Sequence, residues 1–145
     1  MSKNNTYIDW KNWDKDSFAK TSKLEEAYFN NIVKLLKLKK SSKILEIGFG
    51  NGSFLGYATR LKFNYVGVES NQNLVDLAIN QNFSAYTSLD KIDKKSKYDL
   101  IILFDVIEHI NSDAVEEFFS EMKVHLEETG SIFLRFPNGS SPLGL

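Results

Sequence analysis

Two spacings of hydrophobic residues along the chain predict an alternation of helices and buried strands. Apolar residues recur at helical spacing between residues 22 and 37, and Ser22 with Glu25 is typical of a capping box at a helix start. Lys43–Ile47 is rich in strand-forming residues, and Tyr98–Phe104 is so continuously apolar that we expect a central strand buried on both faces. Similar patterns predict helices near 53–62, 72–80 and 113–130, and strands near 65–68, 84–87 and 131–136.

Five strands alternating with helices favour an α/β fold with a doubly wound, mostly parallel sheet. Such sheets bind ligands outside the C-terminal ends of their strands. Residues 1–20 are polar but contain Tyr7, Trp10, Trp13 and Phe18, so we expect an aromatic segment that docks on the domain or covers an acceptor as a lid. Residues 21–145 are predicted to form one domain.

The composition of the chain indicates what kind of partner and which cellular compartment to expect. The chain has 145 residues and a net charge of −1, which provides no overall field to concentrate nucleic acid or an anionic membrane, so a small-molecule partner is expected. It has no cysteine, which excludes disulfides and thiolate chemistry. We find no signal peptide and no apolar run long enough for a membrane span, and we expect a cytoplasmic protein.

The glycine run after the first strand is the strongest functional signal. Residues 44–52 read Ile-Leu-Glu-Ile-Gly-Phe-Gly-Asn-Gly, a pattern that lets the backbone approach a ligand closely. Ser53 stands where a dinucleotide fingerprint would need glycine. Glu69 ends the second strand, 21 residues after Gly48, where a carboxylate can accept hydrogen bonds from both ribose hydroxyls. The alternatives are a purely structural turn and a carboxylate that only stabilises a helix N-terminus.

Four motifs in order resemble those of the class I S-adenosylmethionine-dependent methyltransferases, including the groups found with bacterial polysaccharide genes and the ubiquinone-type enzymes. The glycine run matches the first motif, and Val-Gly-Val-Glu-Ser at 66–70 matches the second. The segment 98–110 matches the fourth, and 130–138 matches the fifth strand. The resemblance implies a Rossmann-like sheet with strand order 3-2-1-4-5.

By the same resemblance, the glycines line the methionine and ribose portions of the cofactor, Glu46 lies near its amino group and Glu69 holds its ribose. Phe104 and Asp105 would flank the cofactor at the end of strand four, and Ser88 could bond the adenine amine. Acids near the loop suit a sulfonium and an ammonium better than a diphosphate. The implied cofactor residues are Glu46, Gly48, Phe49, Gly50, Gly52, Glu69, Ser70, Ser88, Phe104 and Asp105.

Glu108 and His109 are the candidate catalytic residues, since they follow strand four where an acceptor would lie. His109 could act as a general base, or the pair could only orient its loop. We expect no metal, although the narrower resemblance to ubiquinone-biosynthesis O-methyltransferases implies magnesium or manganese ligands at Asp105, Glu108 and His109. His125, on the last predicted helix, is expected at the surface.

The resemblance implies two further strands that this sequence does not contain. We therefore expect a C-terminally truncated domain whose fifth strand is a bare edge, which a second copy could cover in a homo-oligomer. The predicted function is methyl transfer from S-adenosylmethionine to a small molecule such as a sugar or another hydroxyl-bearing metabolite. The alternative is a catalytically silent domain that binds the cofactor and serves as a partner or scaffold, and Ser53 disfavours an NAD-binding module.

Overall fold

The sheet has five parallel strands with helices on both faces, and the computed structural model describes residues 16–136. The proposed lid residues Tyr7, Trp10 and Trp13, and the segment 137–145, lie outside the described residues. The helices are α1 (Lys23–Leu35), α2 (Ser53–Arg60), α3 (Gln72–Asn80) and α4 (Ser112–Val124). The strands are β1 (Lys43–Ile47), β2 (Asn64–Val68), β3 (Ala85–Tyr86), β4 (Tyr98–Phe104) and β5 (Leu126–Arg135).

The strand order is β3-β2-β1-β4-β5, which confirms the predicted doubly wound topology. All four pairings are parallel, and Ile44 of β1 pairs with Tyr65 of β2 on one side and Leu100 of β4 on the other. The order reverses at β1, so a crevice opens at the carboxyl ends of β1 and β4. The glycine loop leaves β1 at this crevice.

Successive residues of the central strands belong to two separate cores. Ile44 and Leu100 pack in a cluster with residues of α1, α2 and α3. Leu45 and Ile101 pack in a second cluster with Met122 of α4. Because helices cover both faces, β4 needs apolar side chains at consecutive positions, which explains its unbroken hydrophobic sequence. No helix within residues 16–136 is long and apolar enough to cross a lipid bilayer.

The boundary between α4 and β5 differs from the prediction. The helix was expected to continue to Gly130, but it ends at Val124 and Leu126 already begins β5. Leu126 continues the apolar spacing of the helix, but it pairs with Tyr98 of β4, and the register shifts before Ser131 pairs with Leu100. The spacing of apolar residues could not distinguish a helix from a strand at Leu126, because an apolar side chain at this position fits both patterns.

The expectation that His125 lies at the surface is wrong. Its relative exposure is 4%, and its Nδ1 lies 3.1 Å from the carbonyl oxygen of Ser96. The carbonyl oxygen of His125 also accepts a hydrogen bond from the amide of Tyr98 at 2.8 Å. His125 is the C-cap residue of α4, where the chain turns into β5, and its ring packs under the turn that contains Ser96.

Candidate functional site

The glycine loop between β1 and α2 has a backbone that side chains would obstruct. Gly48 and Gly50 have φ angles of 79° and 55°. A Cβ on Gly48 would overlap Cγ2 of Val106, whereas no heavy atom lies within 4 Å of the position that a Cβ on Gly50 would take. The amide of Gly48 donates to the carbonyl of Val68 at 2.7 Å, which ties the loop to the end of β2. The loop is therefore fixed to the sheet at Gly48, and the space beside Gly50 is open.

The segment before α1 packs behind this loop. Phe18 is 3% exposed, and its ring centroid lies 6.2 Å from that of Phe49. The amide of Ala19 donates to the carbonyl of Asn51 at 2.9 Å. A Cβ on Gly52, the residue before α2, would lie 3.0 Å from the Phe18 ring. The absence of a side chain at Gly52 thus allows Phe18 to pack against the loop from the core side.

Glu69 bridges the glycine loop and the start of α3. Its Oε1 accepts a hydrogen bond from the amide of Gly50 at 3.1 Å, and its Oε2 accepts one from the amide of Asn71 at 2.8 Å. Each carboxylate oxygen has two lone pairs, so both can accept a second donor. Glu69 is half-buried, and this geometry leaves it able to bind ligand hydroxyls while it holds the loop.

Glu46 is a buried carboxyl on β1 with one protein donor. Its relative exposure is 2%, and the hydroxyl of Tyr65 donates to its Oε1 at 2.6 Å. Burial raises the pKa of Glu46 to about 8, and the hydrogen bond from Tyr65 only partly opposes this effect. The nearby charge of Glu69 contributes to this rise in the pKa, and the charge of Arg135 opposes it. At neutral pH the free chain therefore keeps Glu46 largely protonated, and a bound cation would favour its ionised form.

Two adjoining cavities lie at the carboxyl ends of the strands. The first has a volume of about 630 Å³ and is lined by Glu46, Phe49 and Gly50, and by Tyr28 of α1 and Arg135 of β5. The second has a volume of about 490 Å³ and is lined by Glu69, Ser70, Thr87, Asp105, Val106 and His109. Gly48 and Phe104 line both cavities, so the two spaces meet beside the ends of β1 and β4. Together they can hold an extended ligand with the glycine loop at its middle.

The end of β4 carries an ion pair that the sequence analysis did not identify. Asp105 has a left-handed backbone with a φ of 57°, and its Oδ2 lies 2.8 Å from Nη2 of Arg135. The amide of Asp105 also donates to the carbonyl of Arg135 at 2.7 Å. The Arg135 guanidinium lies 4.6 Å from the ring centroid of Phe104 and 5.4 Å from that of Tyr28. Its position at the carboxyl end of an apolar strand, at the ligand-binding edge of the sheet, is the signal that could have singled out Arg135.

The candidate catalytic pair lies on the short turn after β4. His109 Nε2 is 3.5 Å from Glu108 Oε1, and the side chain of His109 is 78% exposed. His109 lines the second cavity, whereas Glu108 lines neither of the two. Within residues 16–136, no three histidine, aspartate or glutamate side chains are grouped as a metal site, and Asp105 is instead paired with Arg135.

Most of the predicted cofactor residues come together around the two cavities. The residues that line at least one of them are Glu46, Gly48, Phe49, Gly50, Glu69, Ser70, Phe104 and Asp105. Gly52 and Ser88 line neither. The hydroxyl of Ser88 donates to Asp90, so Ser88 stabilises the turn after β3.

Comparison with known proteins agrees with this architecture. A family model described as "Methyltransferase domain" matches residues 21–144. The ubiquinone biosynthesis O-methyltransferase of Pelagibacter ubique is 28% identical over 120 residues, which cover 72% of this chain and 48% of that protein. The enzyme of the same name from Bartonella bacilliformis is 28% identical over 100 residues, which cover 63% of this chain and 40% of that protein. The chain thus spans less than half the length of these curated relatives.

Solved structures share the fold. A SAM-dependent methyltransferase from Archaeoglobus fulgidus superposes with a TM-score of 0.68 and 20% identity, covering 81% of this chain and 54% of that one. A TehB-like SAM-dependent methyltransferase from Corynebacterium glutamicum has a TM-score of 0.65 and 19% identity, with coverages of 94% and 73%. At these identities the likeness concerns the fold alone. The family match over residues 21–144 shows that the chain belongs to the methyltransferase domain family.

Proposed function

We propose that this chain binds S-adenosylmethionine across the two cavities and supports transfer of its methyl group to a small molecule. One observation carries the proposal: the glycine loop, which has open space beside Gly50, lies between two carboxyl groups that line different cavities. Glu46 lines the first cavity and Glu69 lines the second. An ammonium group in the first cavity and ribose hydroxyls in the second, joined beside the loop, match this pair of carboxyl groups in this order.

The residues present fit the cofactor on both sides of the loop. Glu46 is buried, has a raised pKa and would hold an ammonium group in its ionised form. Glu69 keeps acceptor capacity for two ribose hydroxyls after binding the amides of Gly50 and Asn71. When bound, S-adenosylmethionine supplies a methyl group on a cationic sulfur that a nucleophile can attack. The chain's contribution is to orient the acceptor beside Phe104 and to exclude water.

The acceptor side of the proposal rests on the first cavity and on the curated relatives. Tyr28 and Phe104 give that cavity an aromatic wall, which suits an organic acceptor. Relatives named as O-methyltransferases support a hydroxyl acceptor. We propose His109, which lines the second cavity, as the general base for that hydroxyl, with Glu108 as its neighbour at 3.5 Å. This role requires the acceptor hydroxyl to lie beside Phe104, where the two cavities meet. A homo-oligomer and a cytoplasmic location belong to the same proposal.

Titration calorimetry tests the cofactor assignment. S-adenosylmethionine and S-adenosylhomocysteine should bind the wild-type chain, and NAD should not. Glu69→Ala should weaken binding by about 1–3 kcal/mol, because two hydroxyls lose a charged acceptor and the loop loses its anchor at Gly50. Asp76→Ala is the matched control, since Asp76 is an exposed carboxylate on α3 that lines neither cavity.

The outcomes separate the candidate functions. Equal affinity of the Glu69→Ala and wild-type chains for S-adenosylmethionine would refute the assignment of Glu69. Cofactor binding without transfer to any of a panel of phenols, catechols and sugars would favour the silent binding domain. Transfer to any of these acceptors, followed with a methyl-labelled cofactor, would exclude the silent domain.

A further inference from the structure

We propose that Arg135 binds an oxyanion of the methyl acceptor, so that the acceptor is an acidic molecule carrying a carboxylate or a phosphate. This inference rests on the proposed function and deepens it by naming the acceptor class. Arg135 ends β5 and lines the first cavity, the one that α1 borders. The feature that carries the inference is a guanidinium fixed at the rim of an otherwise acidic and apolar cavity.

Among the described residues that line the two cavities, Arg135 alone has a side chain that is always cationic. Of the described residues that line them, Arg135 is the one lysine or arginine, whereas Glu25 and Glu46 line the first cavity and Glu69 and Asp105 line the second. The carboxyl groups suit the cationic parts of the cofactor. A guanidinium is the side chain that best matches a planar or tetrahedral oxyanion through paired N–H donors.

Contacts within the protein hold the guanidinium in place. It lies over the ring of Phe104 at 4.6 Å and near that of Tyr28 at 5.4 Å, both within cation–π range. The backbone carbonyl of Arg135 accepts the amide hydrogen bond of Asp105, the last rung between β4 and β5. An anchored donor loses little conformational freedom on binding, which favours specificity.

The ion pair with Asp105 leaves Arg135 available. Nη2 makes the bond to Asp105, and a guanidinium has five N–H donors. The side chains of Arg135 and Asp105 are 42% and 47% exposed, and exposed ion pairs exchange partners at small cost. A ligand oxyanion can therefore share Arg135 with Asp105 or replace it.

The position of Arg135 places the rest of the acceptor near the reacting centre. Phe104, on which the guanidinium stacks, lines both cavities. An acceptor whose oxyanion contacts Arg135 extends its body along Phe104, beside the point where the cavities meet. Arg135 would thus select the acceptor and orient it, and it would take no part in proton transfer.

The test uses three probes of one shape and different charge. Benzoate carries a carboxylate, phenyl phosphate carries a phosphate, and benzamide is the neutral counterpart. Each is titrated by ligand-observed NMR into the wild-type chain, with and without saturating S-adenosylhomocysteine. We expect at least one anion to bind about tenfold or more tightly than benzamide, which corresponds to a charge-assisted hydrogen bond, and the better of the two anions identifies the oxyanion.

Four variants assign that preference to Arg135. Arg135→Gln should remove it, and Arg135→Lys should restore part of it. Arg60→Gln should leave it intact, since Arg60 is the other arginine of the chain and lines neither cavity. Asp105→Asn should strengthen anion binding several-fold, because it removes the competing carboxylate and asparagine tolerates a left-handed backbone. Thermal unfolding followed by circular dichroism verifies that each variant is folded.

Each remaining outcome overturns the inference in a recognisable way. Equal binding of benzamide and both anions, or an unchanged preference in Arg135→Gln, would make Arg135 a structural residue that only joins β4 to β5. A tenfold loss of S-adenosylhomocysteine affinity in Arg135→Gln would assign it to the cofactor carboxylate instead. If the wild-type chain bound S-adenosylhomocysteine but neither anion, the inference would fail while the proposed function stood. Failure to bind S-adenosylhomocysteine would remove both.

Discussion

At the scale of single residues, the site is organised by two carboxyl groups with opposite environments. Glu46 is buried with Tyr65 as its donor, whereas Glu69 is half-buried and accepts two backbone amides. Burial disfavours the charged form of Glu46 and raises its pKa from 4.5 to about 8. In the free chain this protonated carboxyl stabilises the fold fully below the pKa of unfolded glutamate. That stabilisation is lost progressively as the pH rises from about 4.5 through about 8.

This environment predicts that cofactor binding releases a proton. An ammonium beside Glu46 favours the ionised form, so at pH 7 binding of S-adenosylhomocysteine should release roughly one proton at most from this carboxyl. Calorimetry in two buffers of different ionisation enthalpy measures the number directly. Glu46→Gln keeps the shape and the bond to Tyr65 but cannot ionise, and its binding should release no proton. Equal release by wild type and Glu46→Gln would assign the proton to another group.

His109 is predicted to act in turnover and not in cofactor affinity. His109→Ala should lower kcat by about 10²-fold or more, the usual contribution of a general base, while the Kd for S-adenosylhomocysteine stays unchanged. The measurement is a rate assay with the cofactor at saturation, combined with calorimetry. Because His109 lines the second cavity, as Ser70 does, a weaker Kd with unchanged kcat would instead make it a cofactor contact. Full retention of both would make it structural.

At the scale of elements, the glycine loop combines a packing constraint with a binding surface. Gly48 faces Val106, and Gly50 faces open space. The sequence predicted the loop and its position after β1, because alternating glycines after a short apolar strand are typical of a ligand-binding turn. It could not distinguish the tasks of the three glycines, since each task depends on a side chain far away in sequence.

Matched substitutions separate these tasks. Gly48→Ala combines a left-handed backbone with a clash against Val106, so we expect a loss of stability above the ~1–2 kcal/mol that such a backbone costs alone. Gly50→Ala should lose only that backbone cost but should weaken S-adenosylhomocysteine binding, because the methyl group projects into open space at the loop. Chemical denaturation and calorimetry give the two quantities. Equal stability losses together with equal affinities would refute this division.

The junction of α4 and β5 shows where element prediction from sequence fails. The type of each element was predicted correctly, but the boundary moved from Gly130 to Val124. Leu126 fits the helical period and also pairs with Tyr98 in the sheet. This pairing makes Leu126 the first residue of β5 instead of part of α4. The burial of His125 was also missed, because it depends on the turn that contains Ser96, 29 residues earlier in the chain.

At the scale of the whole molecule, β5 is the outermost strand of the described sheet. It pairs with β4, and within residues 16–136 no other strand pairs with its outer side. A free strand edge is a template for pairing with another chain. A homo-oligomer formed through this strand therefore stays a prediction.

Sedimentation at increasing protein concentration tests self-association. We expect the wild-type chain to shift toward a dimer, and Ser131→Lys to remain monomeric because two lysines repel each other at a symmetric edge. Ser120→Lys adds the same charge on exposed α4 and serves as the control. A wild-type chain that stays monomeric at every concentration, or a Ser131→Lys chain that still dimerises, would contradict pairing through β5.

The sequence by itself determined the order and type of the elements, the parallel sheet, the glycine loop and the two carboxyl groups beside it. These depend on local period and on spacing along the chain, which the sequence contains directly. Only the tertiary structure decided that Glu69 binds Gly50, that His125 is buried and that Arg135 pairs with Asp105 at the rim of the first cavity. Those contacts join residues 19, 29 and 30 positions apart, and their formation depends on how the strands align in the sheet.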